Sequence, residues 1–190
     1  MDTLEALTTR RSPLALGPEA PPQEVVRRAL EAGLCAPDHG KLRPWRFLLL
    51  EGSQRERLGD AMAEALAARD PEAPESLLEK ERAKPLRAPL IIAVVARTQP
   101  DHRKIPLEEQ RQAVATSAFS IMLAFHAQGW GCQWKTGAAA RDPKVIESLG
   151  LEAHDEIIGY LYVGTPAGQP PPPRREMALE DFLLNLPEGW

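Results

Sequence analysis

The apolar positions of the chain change their period several times, and each change predicts an element. Met1, Leu4 and Leu7 recur at helical spacing, so a short helix should end near Thr9. The stretch "SPLALGPEAPP" is punctuated by Pro and Gly and reads as a loop. In "PPQEVVRRALEAGLCAP" the positions Val26, Leu30, Gly33 and Leu34 share a helical face, Pro22 suits the first turn, and Pro37 ends the run. "WRFLLLEG" predicts a strand closed by Gly52. Ser53 and Glu56 have the spacing of a capping box, opening a helix that carries Leu58, Met62, Ala65 and Leu66.

The stretch "RDPEAPESLLEKERAKPLR", residues 69–87, is charged and broken by Pro71, Pro74 and Pro85. It reads as a loop with a short helix, either the cover of a site or a solvated connector. "APLIIAVVART" is apolar without alternation, the mark of a strand buried on both faces. Val114, Ala118, Ile121, Met122 and Phe125 lie on one face of a long helix over residues 107–128, with Gly129 as terminator. "GCQWKTG" predicts a strand and a turn. Asp142 caps a short helix with Pro143 in its first turn and Gly150 at its end, and "DEIIGYLYVGTP" predicts the last strand. The tail joins a stiff run of four prolines to "LEDFLLNL", an apolar segment that such a spacer delivers to another surface, of the same chain or of a partner subunit. The order α, α, β, α, β, α, β, α, β predicts a single α+β domain over residues 1–190 with a mixed or mainly antiparallel sheet.

Composition narrows the function classes. The 190 residues are 43% hydrophobic and 26% charged, the balance of an ordinary globular domain. A net charge of -4 gives no bulk attraction to nucleic acid, so arginine clusters have to be read locally. Cys35 and Cys132 cannot build a disulfide framework and point to free thiols in a reducing, cytoplasmic compartment. The start "MDTLEALTTRR" is acidic early and lacks the apolar region of a secretory signal, and the longest apolar run, "APLIIAVVA", is strand-sized, so no membrane partner is expected.

Metal and nucleophile chemistry find little support. His39, His102, His126 and His154 have no second histidine at helical spacing and no Cys-x-x-Cys accompanies them, so no metal site is expected. Cys35 follows a helix instead of starting one, and no Gly-x-Ser-x-Gly elbow exists. Anion chemistry is better represented. Arg10, Arg11 and Ser12 offer two cations and a hydroxyl together, and Lys135, Thr136 and Gly137 repeat that combination at the end of a strand. "APDHGKLRPWRF", residues 36–47, places Asp38, His39, Lys41 and Arg43 between two prolines, the density of a loop that meets a polar ligand or of a surface loop whose Trp45 packs on the core.

Taken in order, "RRS", "APDHGKLRPWRF", "AQGWGCQWKTG" and "IIGYLYVGTP" resemble the nitroreductase family of flavoproteins, in its compact YdjA-like branch, across roughly the first 166 residues. The resemblance implies an α+β fold with a central, mainly antiparallel sheet flanked by helices. It also implies an intertwined homodimer with FMN at the subunit interface and the C-terminal segment, about residues 167–190, exchanged as an arm onto the partner. Arg10, Arg11 and Ser12 resemble the stretch that holds the FMN phosphate and ribityl chain. Trp134, Lys135 and Thr136 fall where this branch has a second FMN-contacting segment. His39 and Cys35 would approach the flavin from the partner subunit, His39 with a tuning role; Lys41 would be a further flavin contact, a cation that could stand in for the one missing at Leu14; and residues 124–129 lie where relatives contact the nicotinamide cofactor.

The activity implied is that of an FMN-dependent NAD(P)H oxidoreductase. Hydride passes to the flavin and then, ping-pong fashion, to a small-molecule acceptor such as a nitroaromatic or quinone. No catalytic side chain is required, since the chemistry lies on the flavin. The sequence departs from the broader family at Leu14, where many members carry a cation, and at Asp38 and Lys41-Leu42-Arg43. The departures at Leu14 and Lys41-Leu42-Arg43 motivate one alternative, a flavin-binding regulatory or carrier dimer with little turnover; a second alternative is another flavin chemistry on the same fold.

Overall fold

Residues 90–96 have no exposed surface at all, and around them the chain is organised. In the computed structural model, which describes residues 1–184 and 186, the helices are α1 (Thr3–Thr9), α2 (Gln23–Leu34), α3 (Ser53–Arg69), α4 (Glu75–Ala83), α5 (Leu107–Ala127) and α6 (Pro143–Ser148). The strands are β1 (Ala15–Leu16), β2 (Trp45–Glu51), β3 (Leu90–Arg97), β4 (Gly131–Lys135), β5 (Asp155–Gly164) and β6 (Pro166–Ala167). Single 3₁₀ turns occupy His39–Lys41, Lys84–Arg87, Ala138–Arg141 and Leu179–Phe182. The main sheet runs β2-β3-β5-β4 with every neighbour antiparallel, and β1 and β6 form a separate two-residue ribbon.

The unalternating apolar sequence of β3 follows from its central place, because helices cover both faces of the sheet. Ile92, Val94 and Leu161 join Val114, Ile121 and Phe125 of α5 and Val26 of α2 in one core. Ile91, Val95 and Tyr160 join Leu58 and Met62 of α3 and Val145 of α6 in the other. Burying each of the larger aliphatic side chains of β3 favours folding by about 1.5–3 kcal/mol. α4 packs on the outside of α3, so residues 69–87 are mostly helix where the sequence suggested mostly loop.

Local capping differs from expectation in an instructive way. The Ser53–Glu56 box does not form: Gly52, at φ 51°, is the N-cap and Ser53 is already helical, while the Gln54 side chain accepts from the Glu51 amide at 3.1 Å. The capping box that does form belongs to α1, between Asp2 and Glu5. Pro22 stands one residue before α2 and Leu34 is 54% exposed, so the buried face of α2 is Val26, Ala29 and Gly33. Asp142 caps α6 as expected, accepting from the Lys144 amide at 3.0 Å. No described helix is long and apolar enough to cross a membrane. Of the expected apolar segment "LEDFLLNL", Asn185 lies outside the described residues.

Candidate functional site

Segment 10–17 crosses the outer edge of β4. Arg10 lies on the α5 side, where its charge reaches both His126 and Cys132. Leu16 packs into the core on the α3 side. Between them the Gln133 amide donates to the Pro13 carbonyl at 2.7 Å, and Pro13 and Leu16 close over Gly131, where a Cβ would come within 2.9 Å of both. Ser12 is left exposed at the crossing.

Arg10, Arg11 and Ser12 form a corner rich in donors. One guanidinium nitrogen of Arg10, Nη1, is buried with no hydrogen-bond partner among the described residues. A buried donor of a charged group left unpaired is costly, so this corner suits an anion. The tail is drawn in as well: Arg11 donates to the Pro172 carbonyl, and Arg174 donates to the Arg10 carbonyl at 2.6 Å. At the end of α5, the Thr9 hydroxyl donates to the Glu5 carbonyl at 2.6 Å and lies 3.0 Å from His126 Nε2, which leaves it to accept from that nitrogen. Burial, and then the Arg10 charge, hold the His126 pKa below the ordinary imidazole value. Burial pushes the Cys132 thiol up to about 12, so it stays protonated and inert.

Trp134, Lys135 and Thr136 end the same strand, but alternation divides them. Trp134 packs against the α5-side core, its indole over Gly159, where a Cβ would come within 2.1 Å of the ring. Lys135 faces the opposite way and lines a cavity of about 170 Å³ with Arg87, Tyr160 and Tyr162. Within one chain, then, the Lys135 side chain and Arg10 serve opposite faces of the sheet. Thr136 and Gly137 also border a larger cavity of about 940 Å³ with walls that include Ile146, Leu151, Ile157 and Ile158.

Cys35, His39 and Lys41 lie elsewhere. Cys35 is the exposed C-cap of α2, its thiol 3.5 Å from the Glu31 carbonyl. His39 Nδ1 is 2.6 Å from Glu109 in the first turn of α5, with both side chains largely exposed. The loop around it is held in an unusual shape. Gly40, Lys41 and Arg43 have φ of 73°, 56° and 49°, and Asp38 accepts from the Arg43 amide at 2.6 Å. Two non-glycine residues in the left-handed region store strain of the kind found at binding loops. His39 and the Arg10 corner belong to opposite ends of α5, between Glu109 and His126, a rise of roughly 25 Å. One chain thus presents two groups of expected site residues and does not bring them together.

Arg174, Arg87 and Tyr160 were not singled out from the sequence, and His126 was only as part of the 124–129 stretch. Arg174 had a signal, a cation directly after a proline spacer; the others become visible only through long-range contacts. Among the described residues, no group of His, Cys, Asp and Glu is arranged to hold a metal ion.

Comparison with known proteins bears on these features. The family model described as "Nitroreductase family" matches residues 7–165. The chain is 39% identical over 166 residues to an Escherichia coli K12 protein named "Putative NAD(P)H nitroreductase YdjA", covering 87% of this chain and 89% of that one. The crystal structure of a nitroreductase-like family protein from Bacillus cereus superposes with a TM-score of 0.83 at 24% identity, covering 100% of this chain and 97% of that chain. A Desulfovibrio desulfuricans structure, titled as a putative nitroreductase in complex with FMN, gives a TM-score of 0.68 at 27% identity, covering 97% of this chain and 96% of that one. The α+β architecture and antiparallel sheet described above are the nitroreductase-like fold. With that fold matched along its length and the family pattern running from α1 to the end of β5, the chain belongs to the nitroreductase family.

Proposed function

We propose that the protein is an FMN-dependent NAD(P)H oxidoreductase that works as a homodimer. The observation that carries this reading is the Nη1 of Arg10, buried and without a partner among the described residues, in a corner that also offers Arg11 and the exposed Ser12. Those donors fit a phosphate monoester: two fixed positive charges and a hydroxyl meet its oxygens, and the orphaned nitrogen gains its missing partner. Since the Lys135 side chain faces away, the second contact segment meets FMN through the indole of Trp134, the Thr136 hydroxyl and the backbone.

The homodimer reading rests on two features. His39 lies at the far end of α5 from the Arg10 corner, so it and the corner serve one flavin only if two chains contribute. The tail also exposes Met177, Leu179, Phe182, Leu183 and Leu184, apolar surface that a second chain would cover.

FMN, when bound, supplies hydride acceptance from NAD(P)H and hydride or electron donation to a small-molecule acceptor. The chain's own part is positional. Arg10, Arg11 and Ser12 anchor the phosphate, and Arg174 braces the Arg10 backbone. The strained loop presents His39, with its Nδ1 already engaged by Glu109, at a fixed angle to the partner's half-site. Nitroaromatics and quinones are the acceptor classes proposed.

The test is a visible absorbance titration of the purified protein with FMN, followed by anaerobic NADPH and then NADH. The reading requires tight binding and rapid bleaching of the flavin band by one donor. Binding without bleaching would instead make the protein a flavin carrier, and no binding would overturn the site.

A further inference from the structure

The lining of the 170 Å³ cavity carries more donors than acceptors. Four of its lining residues are cationic: Arg69, Lys84, Arg87 and Lys135. Arg69 is paired with Asp142, the cap of α6, and Lys84 with Glu81, itself a lining residue. Arg87 and Lys135 have no carboxylate or other hydrogen-bond partner among the described residues. Beside them the Tyr160 hydroxyl is fully buried and equally without a partner. Burial holds its proton firmly in place, so it enters any contact as a neutral donor. Two exposed cations without a carboxylate partner and one buried, orphaned hydroxyl border a single small space, and an oxyanion is the group that can meet all three at once.

Size and surroundings narrow the ligand. The cavity is smaller than the roughly 300 Å³ or more of a pocket that holds a whole organic ligand. It therefore takes a charged group of a molecule whose body lies outside it. Thr136 and Gly137 line both this cavity and the larger one of about 940 Å³, whose walls include Ile146, Leu151, Ile157 and Ile158. A ligand lying across Thr136 and Gly137 would set an apolar body in the larger space and its acidic group beside Arg87.

We propose that Arg87, the Tyr160 hydroxyl and Lys135 form an oxyanion subsite that selects a substrate carrying a carboxylate or phosphate on an apolar, ring-sized body. This rests on the proposed function in one respect, that residues 134–136 border the flavin and so place the subsite next to the reacting centre. Two sources share the chemistry: the carboxylate of an acidic acceptor, and a phosphate of the nicotinamide donor.

The experiment compares wild type with Arg87→Gln and Tyr160→Phe, all FMN-loaded. The acceptors are 4-nitrobenzoate and the neutral 4-nitrobenzyl alcohol, and the donors are NADPH and NADH in separate half-reactions. For an acidic acceptor, Arg87→Gln raises the KM for 4-nitrobenzoate at least tenfold and leaves that for the alcohol unchanged; Tyr160→Phe shifts it the same way by a few fold. If the discrimination lost is instead NADPH over NADH, the oxyanion subsite stands and belongs to the donor's phosphate. No charge-dependent change in either half-reaction overturns the proposal. Tyr160→Phe also removes an unsatisfied buried hydroxyl, so it should not lower the Tm of the ligand-free protein; a clear fall would mean that the hydroxyl is already used internally, and would equally overturn it. One arm needs no flavin: 4-nitrobenzoate, or NADPH where the donor's phosphate is the ligand, should raise the Tm of the wild type and not of Arg87→Gln. A protein that fails to take up FMN thus overturns the oxidoreductase reading, while the subsite stands or falls by this shift.

Discussion

At the C-terminal end of α5 the chain converges on itself: Thr9 meets His126, Arg10 reaches His126 and Cys132, and Arg174 returns from the tail to the Arg10 carbonyl. At the N-terminal end it does the opposite. His39 and Glu109 pair in the open, beside a loop whose Lys41 and Arg43 hold left-handed backbone. Both ends carry residues that the sequence marks for one cofactor, and α5 keeps them apart. One end is built as a receptacle, with a donor lacking its acceptor; the other is built as a presenting surface. Two copies arranged head to tail would join each receptacle to the other's surface.

The strongest way to break this comparison is to remove the arm. A chain ending at Gly168 loses Arg174 and the exposed apolar residues of the tail. It is expected to run as a monomer by light scattering and to bind FMN about a hundredfold or more weaker, since the half-sites part. A dimer with unchanged FMN affinity would refute the shared site. Next in size is Arg10→Ala. Losing a charge-assisted hydrogen bond of about 1.5–3 kcal/mol weakens FMN binding roughly ten- to hundredfold. The Tm of the flavin-free protein should barely move, because Nη1 has no partner to lose among the described residues. In the same variant the His126 pKa, read by NMR, should rise toward the ordinary value and stop short of it, since burial, the larger cause, remains.

A smaller effect concerns two ion pairs, one tying α5 to the sheet and one joining β3 to β5. Arg111 of α5 grips Glu156 through two bonds of 2.7 and 2.8 Å, and Arg97 grips Asp155 through bonds of 2.6 and 2.8 Å. The Arg97 bonds, aided by the Glu152 amide, hold the Asp155 carboxyl below its ordinary pKa. A depressed folded value means that its stabilisation is complete above the unfolded pKa of about 3.9 and is lost as pH falls through the folded one. Asp155→Asn should therefore lower the Tm at neutral pH and flatten the decline of Tm at acid pH; an acid limb parallel to the wild type would contradict this. The smallest effect is on stability in His39→Gln. An exposed pair contributes little, so unfolding should change by less than about 0.5 kcal/mol, while the spectrum of bound flavin shifts. A large loss of stability would make His39 a structural residue.

The elements most legible in the sequence are those whose reasons are local. β3 announced itself because burial on both faces removes the need for alternation, and Asp142 with Pro143 marks a helix start that packing does not override. Ser53 misled because Gly52 at positive φ starts the helix one residue earlier, and no propensity scale reads that turn from "EGSQ". β1 and β6 escaped because a two-residue pairing, Ala15 with Ala167 and Leu16 with Pro166, has no period to detect. The candidate site was legible as a set of residues and not as an arrangement. "QWKT" shows that Trp134 and Lys135 alternate, but which helix layer each faces depends on the whole sheet. That Arg174 would meet Arg10, or that Arg87 and Tyr160 would share a cavity, depends on contacts between parts of the chain with no local signature.

The crossing of segment 10–17 over β4 has one more consequence, for solubility. β4 is an outer strand of the sheet, and an outer strand is an open row of hydrogen-bonding groups that another chain can extend. Pro13 and Leu16 lie over Gly131, and Gln133 ties down the Pro13 carbonyl, so the residues next to the proposed phosphate anchor also shield that row. A chain shortened past Gly17 would lose more than cofactor affinity: it would bare a strand edge, and its first symptom on storage would be aggregation.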